Sequence, residues 1–318
     1  MSAIELSVVI PVFDEEAGLP ALFERLYPAL DSLGLRYEVI FVDDGSRDRS
    51  AQVLREQFAR RADVTRVVLL AANFGQHMAI LAAFERSRGG TVVTLDADLQ
   101  NPPEEIGKLL EAIRAGHDYV GSYRHEREDS AFRRIASRMI NSLRERTTDI
   151  RMTDHGCMLR AYARGVVDAI NQSRETNAFV PALAYTFARR PTEIEVAHAP
   201  RAAGESKYSL YRLIQLNFDL MTGFSAKPLQ IYSLFGMLVS VGSIATYVIV
   251  LGKRLLEGDS FGRAIAVIWD RDILQFLLIG VTLFGIGLLG EYVSRIIEQV
   301  RGRPRYLVRA VIERDPPA

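Results

Sequence analysis

The chain has 318 residues, with 39 Lys and Arg against 39 Asp and Glu, so its formal net charge is zero. That neutrality argues against a bulk electrostatic grip on nucleic acid, and a hydrophobic content of 48% is too high for disorder. The one cysteine, Cys157, excludes a disulfide framework or a CxxC metal site and fits a reducing compartment.

The first residues, Met1 to Val12, include Glu5 and lack a basic segment, so they do not read as a signal peptide. Leu6 to Val12 is a β-branched run that reads as a buried strand. Helical periodicity follows over Leu19 to Leu33. Glu38 to Val42 reads as a second strand, closed by the turn Asp43-Asp44-Gly45-Ser46. Arg49 to Arg60 is a helix, Arg66 to Leu70 a strand, His77 to Ser87 a helix and Thr91 to Leu95 a strand. This alternation predicts an α/β fold with a mostly parallel sheet. Ligands of such sheets bind beyond the carboxyl ends of the strands. Acidic clusters stand there: Asp14-Glu15-Glu16, Asp43-Asp44 and Asp96-Ala97-Asp98. A GxGxxG dinucleotide fingerprint is absent after the first strand.

Asp96-Ala97-Asp98-Leu99-Gln100 is the sharpest of these. Carboxylates at i and i+2 can meet one divalent ion if the backbone turns at the strand end. Hard oxygen ligands suit Mg²⁺ or Mn²⁺, which commonly bind substrate phosphates as well. A lone Asp-x-Asp is also a common loop pattern, and its place after an apolar strand is what raises it. Asp43 and Asp44 have an ordinary alternative as a turn, with Asp48 or Ser50 capping the next helix.

Further along, Ser130 to Arg146 and Tyr208 to Phe224 read as amphipathic helices at a lipid interface, with packing on the α/β domain as the alternative. Pro228 to Gly252 and Ile273 to Gly290 contain no charged residue. As helices they reach about 37 and 27 Å, against a hydrocarbon core of about 30 Å. Both read as transmembrane spans, with glycines at 236, 242, 280, 285, 287 and 290 suited to close helix contact. Arg295, Arg301, Arg303, Arg305 and Arg309 mark the following side as cytoplasmic. The expected organisation is therefore 1–205 as a cytoplasmic α/β domain, 206–227 as an interfacial helix, 228–293 as a two-span hairpin and 294–318 as a cytoplasmic tail. Arg305 to Ile312 alternates like a strand, and such a strand often pairs with another copy, which predicts a homo-oligomer such as a tetramer.

Three motifs together resemble a known family: Val9-Ile10-Pro11-Val12-Phe13-Asp14-Glu15-Glu16, Val42-Asp43-Asp44-Gly45-Ser46-Arg47-Asp48 and Leu95-Asp96-Ala97-Asp98-Leu99-Gln100-Asn101-Pro102-Pro103-Glu104. They are similar to the nucleotide-binding signatures of the family 2 glycosyltransferases of GT-A (Rossmann-like) fold, in the branch that acts on polyprenyl phosphates. Asn73-Phe74-Gly75-Gln76-His77, the segment from Thr153 to Tyr162, and Gly204-Glu205-Ser206-Lys207 resemble its aminoarabinose members, although Phe74 stands where these often have Tyr. The resemblance runs from about Leu6 to Val311.

It implies an enzyme of the bacterial inner membrane, multi-pass, with its catalytic domain in the cytoplasm. The implied reaction is inverting transfer of a sugar, 4-deoxy-4-formamido-L-arabinose, from a UDP-sugar to undecaprenyl phosphate, in lipid A modification and polymyxin resistance. It implies that Asp98 holds a Mg²⁺ or Mn²⁺ ion, with Gln100 close by and Asp96 at the ribose or the metal. Pro11, Phe13, Glu15 and Asp44 would line the uridine pocket, with Asp43 nearby. Arg124, Arg133 and Ser137 would face phosphate, and Arg201 and Lys207 would hold the lipid phosphate. Asp154 is a candidate for orienting the sugar, with a turn-capping role beside Gly156 as its alternative. His77 is a helix-start residue or a sugar contact, and Cys157 reads as a small apolar residue rather than a nucleophile. Transfer of glucose or mannose, and a membrane protein that binds nucleotide-sugar without turnover, are the rival readings.

Overall fold

In the computed structural model of the protein, the described residues are 4–124, 152–154, 156–173, 179–197, 227, 229–239, 241–242, 245 and 271–314. Two compact units divide the chain. The first carries one eight-stranded sheet in the order β7-β5-β6-β4-β1-β2-β3-β8. Its strands are β1 (Leu6–Val12), β2 (Tyr37–Asp43), β3 (Thr65–Leu70), β4 (Thr91–Thr94), β5 (Tyr119–Arg124), β6 (Arg160–Ala163), β7 (Pro191–Val196) and β8 (Val308–Ile312). Its helices are α1 (Leu19–Ser32), α2 (Ser50–Arg60), α3 (Gln76–Phe84), α4 (Ile106–Arg114), α5 (Arg164–Gln172) and α6 (Val180–Phe187).

The continuous apolar runs of β1 to β3 form because these strands are covered on both faces. Every residue of β2 and β3 is buried, the pattern of parallel strands with helices on each side. Leu19, Leu22, Leu26 and Leu30 recur at helical spacing and place one face of α1 in the core. β1 is parallel to both β2 and β4, and β2 to β3, as the alternation predicts. The remainder of the sheet is mixed: β6 is antiparallel to β4 and β5, and β7 is parallel to β5.

The tail strand differs from expectation in its partner. β8 pairs antiparallel with β3 of its own chain, Val68 opposite Val311 and Val67 opposite Ile312. Ion pairs fasten it: Glu313 meets Arg66 at 2.6 Å and Arg88 at 3.0 Å. One edge of β8 is thus used within the chain, and β8 stands last in the sheet order.

The second unit carries a helix over Arg271–Arg301, of which Leu278–Arg301 is, among the described residues, the one segment long and apolar enough to cross a membrane. Most of its apolar side chains are exposed, Leu283, Phe284 and Ile286 among them. Of the other apolar run, Leu229–Val239 is described and is a shorter apolar helix. Tyr232 on that segment donates to the Val281 carbonyl at 3.0 Å. A Cβ at Gly285 would overlap the Tyr232 ring, so glycine lets the two segments meet there. The two proposed interfacial helices, Ser130 to Arg146 and Tyr208 to Phe224, lie outside the described residues.

Candidate active site at the strand switch point

The chain runs β1-β2-β3 outward to one side, then returns to place β4 on the other side of β1. Between β1 and β4 the winding direction reverses, and a crevice opens beyond the carboxyl ends of such a pair. Pro11 helps to open it. The Val9 carbonyl accepts from the Leu95 amide at 3.0 Å, and Pro11, two residues on and on the same side of the strand, has no N–H to continue the ladder. The paired residues of β4 end at Thr94, opposite Val9.

The two non-glycine residues with left-handed backbone among those described, Asp14 (φ 54°) and Leu99 (φ 59°), lie in the loops leaving these two strands. Strained conformations of this kind gather at functional sites. The turn after β4 is built by Asp98, whose Oδ1 accepts from the Gln100 amide at 3.1 Å. Asp96, Asp98 and Gln100 are all half-buried there. Phe13, at the end of β1, leaves 39% of its surface exposed. A Cβ at Gly18 would stand 3.5 Å from Glu15 Oε2 and 4.0 Å from the Ala97 carbonyl, so the loops after β1 and β4 touch.

The loops after β1 and β2 are laced together. The amides of Asp14, Glu15 and Glu16 donate to Ser46, Ser50 and Asp48 at 3.1, 2.9 and 3.0 Å. In return Asp14 and Glu16 accept from the amides of Arg47 and Arg49 at 2.7 and 2.8 Å. Asp14 and Glu16 are therefore fasteners of the loops. Asp48 also accepts from the Ser50 amide at 2.9 Å just before α2, whose N-cap position is Arg49 rather than Asp48 or Ser50. Asp43 is buried and accepts from the Ser46 amide at 3.3 Å.

Asp44 is buried, and its two oxygens accept from the amides of Phe74 and Gly75 at 2.8 and 2.9 Å. Burial pushes its carboxyl above the usual range, and these two hydrogen bonds oppose that. Its carboxylate thus shapes the loop between β3 and α3. From that loop Gln76 donates to Asp96 Oδ1 at 2.6 Å. Neither Gln76 nor this loop had a role in the sequence reading, although Asn73 to His77 stood out as a motif. Asp44 and Asp96 are thereby linked through one short segment.

A second buttress comes from the lead-in to β6. Asp154 is buried and accepts from the Gly156 amide at 2.9 Å, the turn-capping geometry. The fully buried Arg160 holds this loop, donating to the carbonyls of Asp154 and Cys157 at 2.6 and 2.7 Å. Cys157 lies 3.3 Å from Asn101 Oδ1 and 2.9 Å from Ser122 Oγ. Burial raises its thiol, so it packs and hydrogen-bonds rather than offering a thiolate. His77 has an Nδ1 that is buried without a hydrogen-bond partner, and its ring meets Phe179 edge-on at 4.9 Å. Desolvation, aided by Arg160, lowers its pKa to about 4.

Arg124 ends β5. Arg133, Ser137, Arg201 and Lys207 lie outside the described residues. Among the described residues, no group of three or more His, Cys, Asp and Glu side chains stands together as a metal site.

This is the architecture of an α/β protein with an acidic crevice at its switch point, and the sequence profile of glycosyl transferase family 2 matches residues 7–170. The chain belongs to that family. It is 47% identical over 312 residues to the undecaprenyl-phosphate 4-deoxy-4-formamido-L-arabinose transferase of Edwardsiella ictaluri (strain 93-146), covering 98% of this chain and 95% of that one. It is 48% identical over 314 residues to the same-named transferase of Pseudomonas aeruginosa (strain LESB58), covering 98% and 92%. Among solved structures, glucosyl-3-phosphoglycerate synthase of Mycobacterium tuberculosis is similar over 69% of this chain and 78% of that one, with 16% identity and a TM-score of 0.48. That likeness is too distant to assign residues or ligands.

Proposed function

We propose that this protein transfers 4-deoxy-4-formamido-L-arabinose from a UDP-sugar to undecaprenyl phosphate at the cytoplasmic face of a bacterial inner membrane. The observation that carries the reading is identity of 47% across 98% of the chain to a transferase of that name. The acidic crevice at the β1–β4 switch point is where such a fold receives a nucleotide.

The acceptor supplies its own nucleophile. A phosphate monoester is largely ionised near pH 7, its second pKa being about 6, so an oxygen of undecaprenyl phosphate attacks the anomeric carbon without a strong general base. The new carbon–oxygen bond forms as the bond to UDP breaks, the electron pair leaves with the diphosphate, and the centre inverts. The site must bring two anions together and stabilise the leaving one.

Asp96 and Asp98, with Gln100, are too few for an all-protein metal cage. They fit a Mg²⁺ or Mn²⁺ ion that completes its shell with water and substrate phosphate. Bound there, the ion would neutralise the leaving diphosphate. Phe13, 39% exposed, would offer a face for the base, and Pro11, Glu15, Asp43 and Asp44 would line the same pocket. Arg124, Arg133 and Ser137 would face the diphosphate, and Arg201 and Lys207 the lipid phosphate. Asp154 is best read as holding its own turn, on the evidence of the Gly156 hydrogen bond. Leu278–Arg301 would cross the bilayer, with the run from Pro228 to Gly252 as the second span. Lipid A modification and polymyxin resistance would be the physiological setting.

The test is transfer in membranes supplied with undecaprenyl phosphate and a panel of UDP-sugars. The formamido-pentose donor should be preferred over UDP-glucose. The opposite order would assign the chain to glucosyl transfer, and no lipid-linked product from any donor with Mn²⁺ present would overturn the enzyme reading.

A further inference from the structure

We propose that Gln76 is a positioning residue for Asp96, and that the loop between β3 and α3 exists to deliver it. The inference rests on the reading of the crevice as a UDP and metal site. Three successive contacts fix the loop. At its start, a Cβ at Gly45 would stand 2.5 Å from the Ala72 carbonyl carbon and 2.7 Å from the Asn73 nitrogen, so the turn after β2 presses directly on the loop backbone. At its middle, Asp44 receives the amides of Phe74 and Gly75 at 2.8 and 2.9 Å. At its end, Gln76 donates to Asp96 Oδ1 at 2.6 Å.

Two glycines make this path possible. Gly45 has φ +70° and no room for a side chain. Gly75 has φ 93° and ψ 153°, a conformation open essentially to glycine alone. It turns the chain from the amides gripped by Asp44 into the first residue of α3, which is Gln76.

The identity of the donor matters. An arginine or lysine at this distance would pair with Asp96 and compete with a cation for its charge. A glutamine amide fixes the carboxylate while leaving that charge in place. Groups that orient ligands in this way typically change metal affinity by about 10- to 100-fold when removed.

The experiment uses the full chain in detergent, with UDP as the titrated probe in the presence of Mn²⁺. Wild type, Gln76→Met, Asp96→Asn and the double variant are compared, with thermal melting as a folding control. Gln76→Met keeps the length and removes the donor. It should weaken UDP binding about tenfold with Mn²⁺ present, leave the KM for undecaprenyl phosphate within about twofold, and leave melting unchanged. In the Asp96→Asn background the same substitution should change UDP binding by less than about twofold, because its effect runs through that carboxylate. Wild-type affinity in Gln76→Met, or a tenfold loss that persists in the Asp96→Asn background, would overturn the inference and leave the proposed function standing. A wild-type protein that binds no UDP with Mn²⁺ would overturn both.

Discussion

The two ends of the parallel strands each gather charge, and they use it in opposite ways. At the amino ends, Glu38 and Arg66 are buried, 4% and 7% exposed, and every oxygen of Glu38 is matched. Its Oε1 accepts from Ser7 and from the Arg88 amide, both at 2.7 Å, and its Oε2 from Arg66 at 2.9 Å. At the carboxyl ends, Asp96 and Asp98 keep a half-buried position, oriented by a glutamine and a turn amide, beside two residues with left-handed backbone. A cluster of acids and bases is thus not a site by virtue of its composition. The closed cluster joins strands, and the open one lies where the winding of the sheet reverses.

The largest effect that would sharpen this contrast is at Asp98. Asp98→Ala should lower transfer at least about 10³-fold, near 4 kcal/mol of barrier, with little change in thermal melting. Product formed on undecaprenyl phosphate is the measurement. Retained activity would remove Asp98 from the chemistry and return the crevice to the status of an ordinary acidic loop.

Arg66→Met tests the opposite end. It leaves Glu38 buried without its cation and should cost about 3–5 kcal/mol of stability, read from denaturant unfolding of the solubilised protein. The fraction that stays folded should keep its KM for the sugar donor. A changed donor KM at unchanged stability would mean that the two ends are not separable in the way their contacts imply.

Most of the first four strands was legible from the sequence, because strands covered on both faces read as unbroken apolar runs. β5 and β6 were not: Tyr119–Arg124 and Arg160–Ala163 are short and carry glycine, serine and arginine within them. Their place in the sheet is fixed by packing across the chain, with Thr94 donating to the Met158 carbonyl at 2.6 Å. The alternation of β8 was visible, but its partner β3 was not, since pairing across more than 200 residues leaves no local trace. At the site, strand-end acids were legible by type and position. The division of labour among them was not: Asp44 looks like Asp98 in sequence, yet its oxygens are taken by the amides of Phe74 and Gly75.

A smaller effect comes from His77, a half-buried titratable group on the carboxyl side whose Nδ1 is shielded from solvent. Its folded pKa of about 4 lies below the ordinary 6.5, so the unfolded chain binds the proton more readily. Its contribution to stability is complete above pH 6.5 and is lost as pH falls toward 4, at up to about 1.4 kcal/mol per pH unit. His77→Phe should flatten that part of the profile in melts between pH 4.5 and 7.5, a range spanning about that interval. An unchanged slope would show that His77 meets water in the folded protein.

The smallest expected effect tests whether charge near the crevice is important merely by proximity. Arg25 on α1 makes a two-pronged bond to Glu104, at 3.1 and 2.9 Å, in the turn shortly after Asp98. Both side chains are open to solvent, 41% and 51% exposed. Exposed pairs are screened and lose side-chain entropy, so Arg25→Ala should cost less than about 1 kcal/mol, and less again at high salt. Transfer should stay within about twofold of wild type, because the turn at Asp98 is set by the Gln100 amide and the Leu99 backbone rather than by this pair. A tenfold loss of transfer with intact folding would instead make α1 part of the machinery that holds the Asp98 turn, and the boundary of the open cluster would have to be drawn to include it.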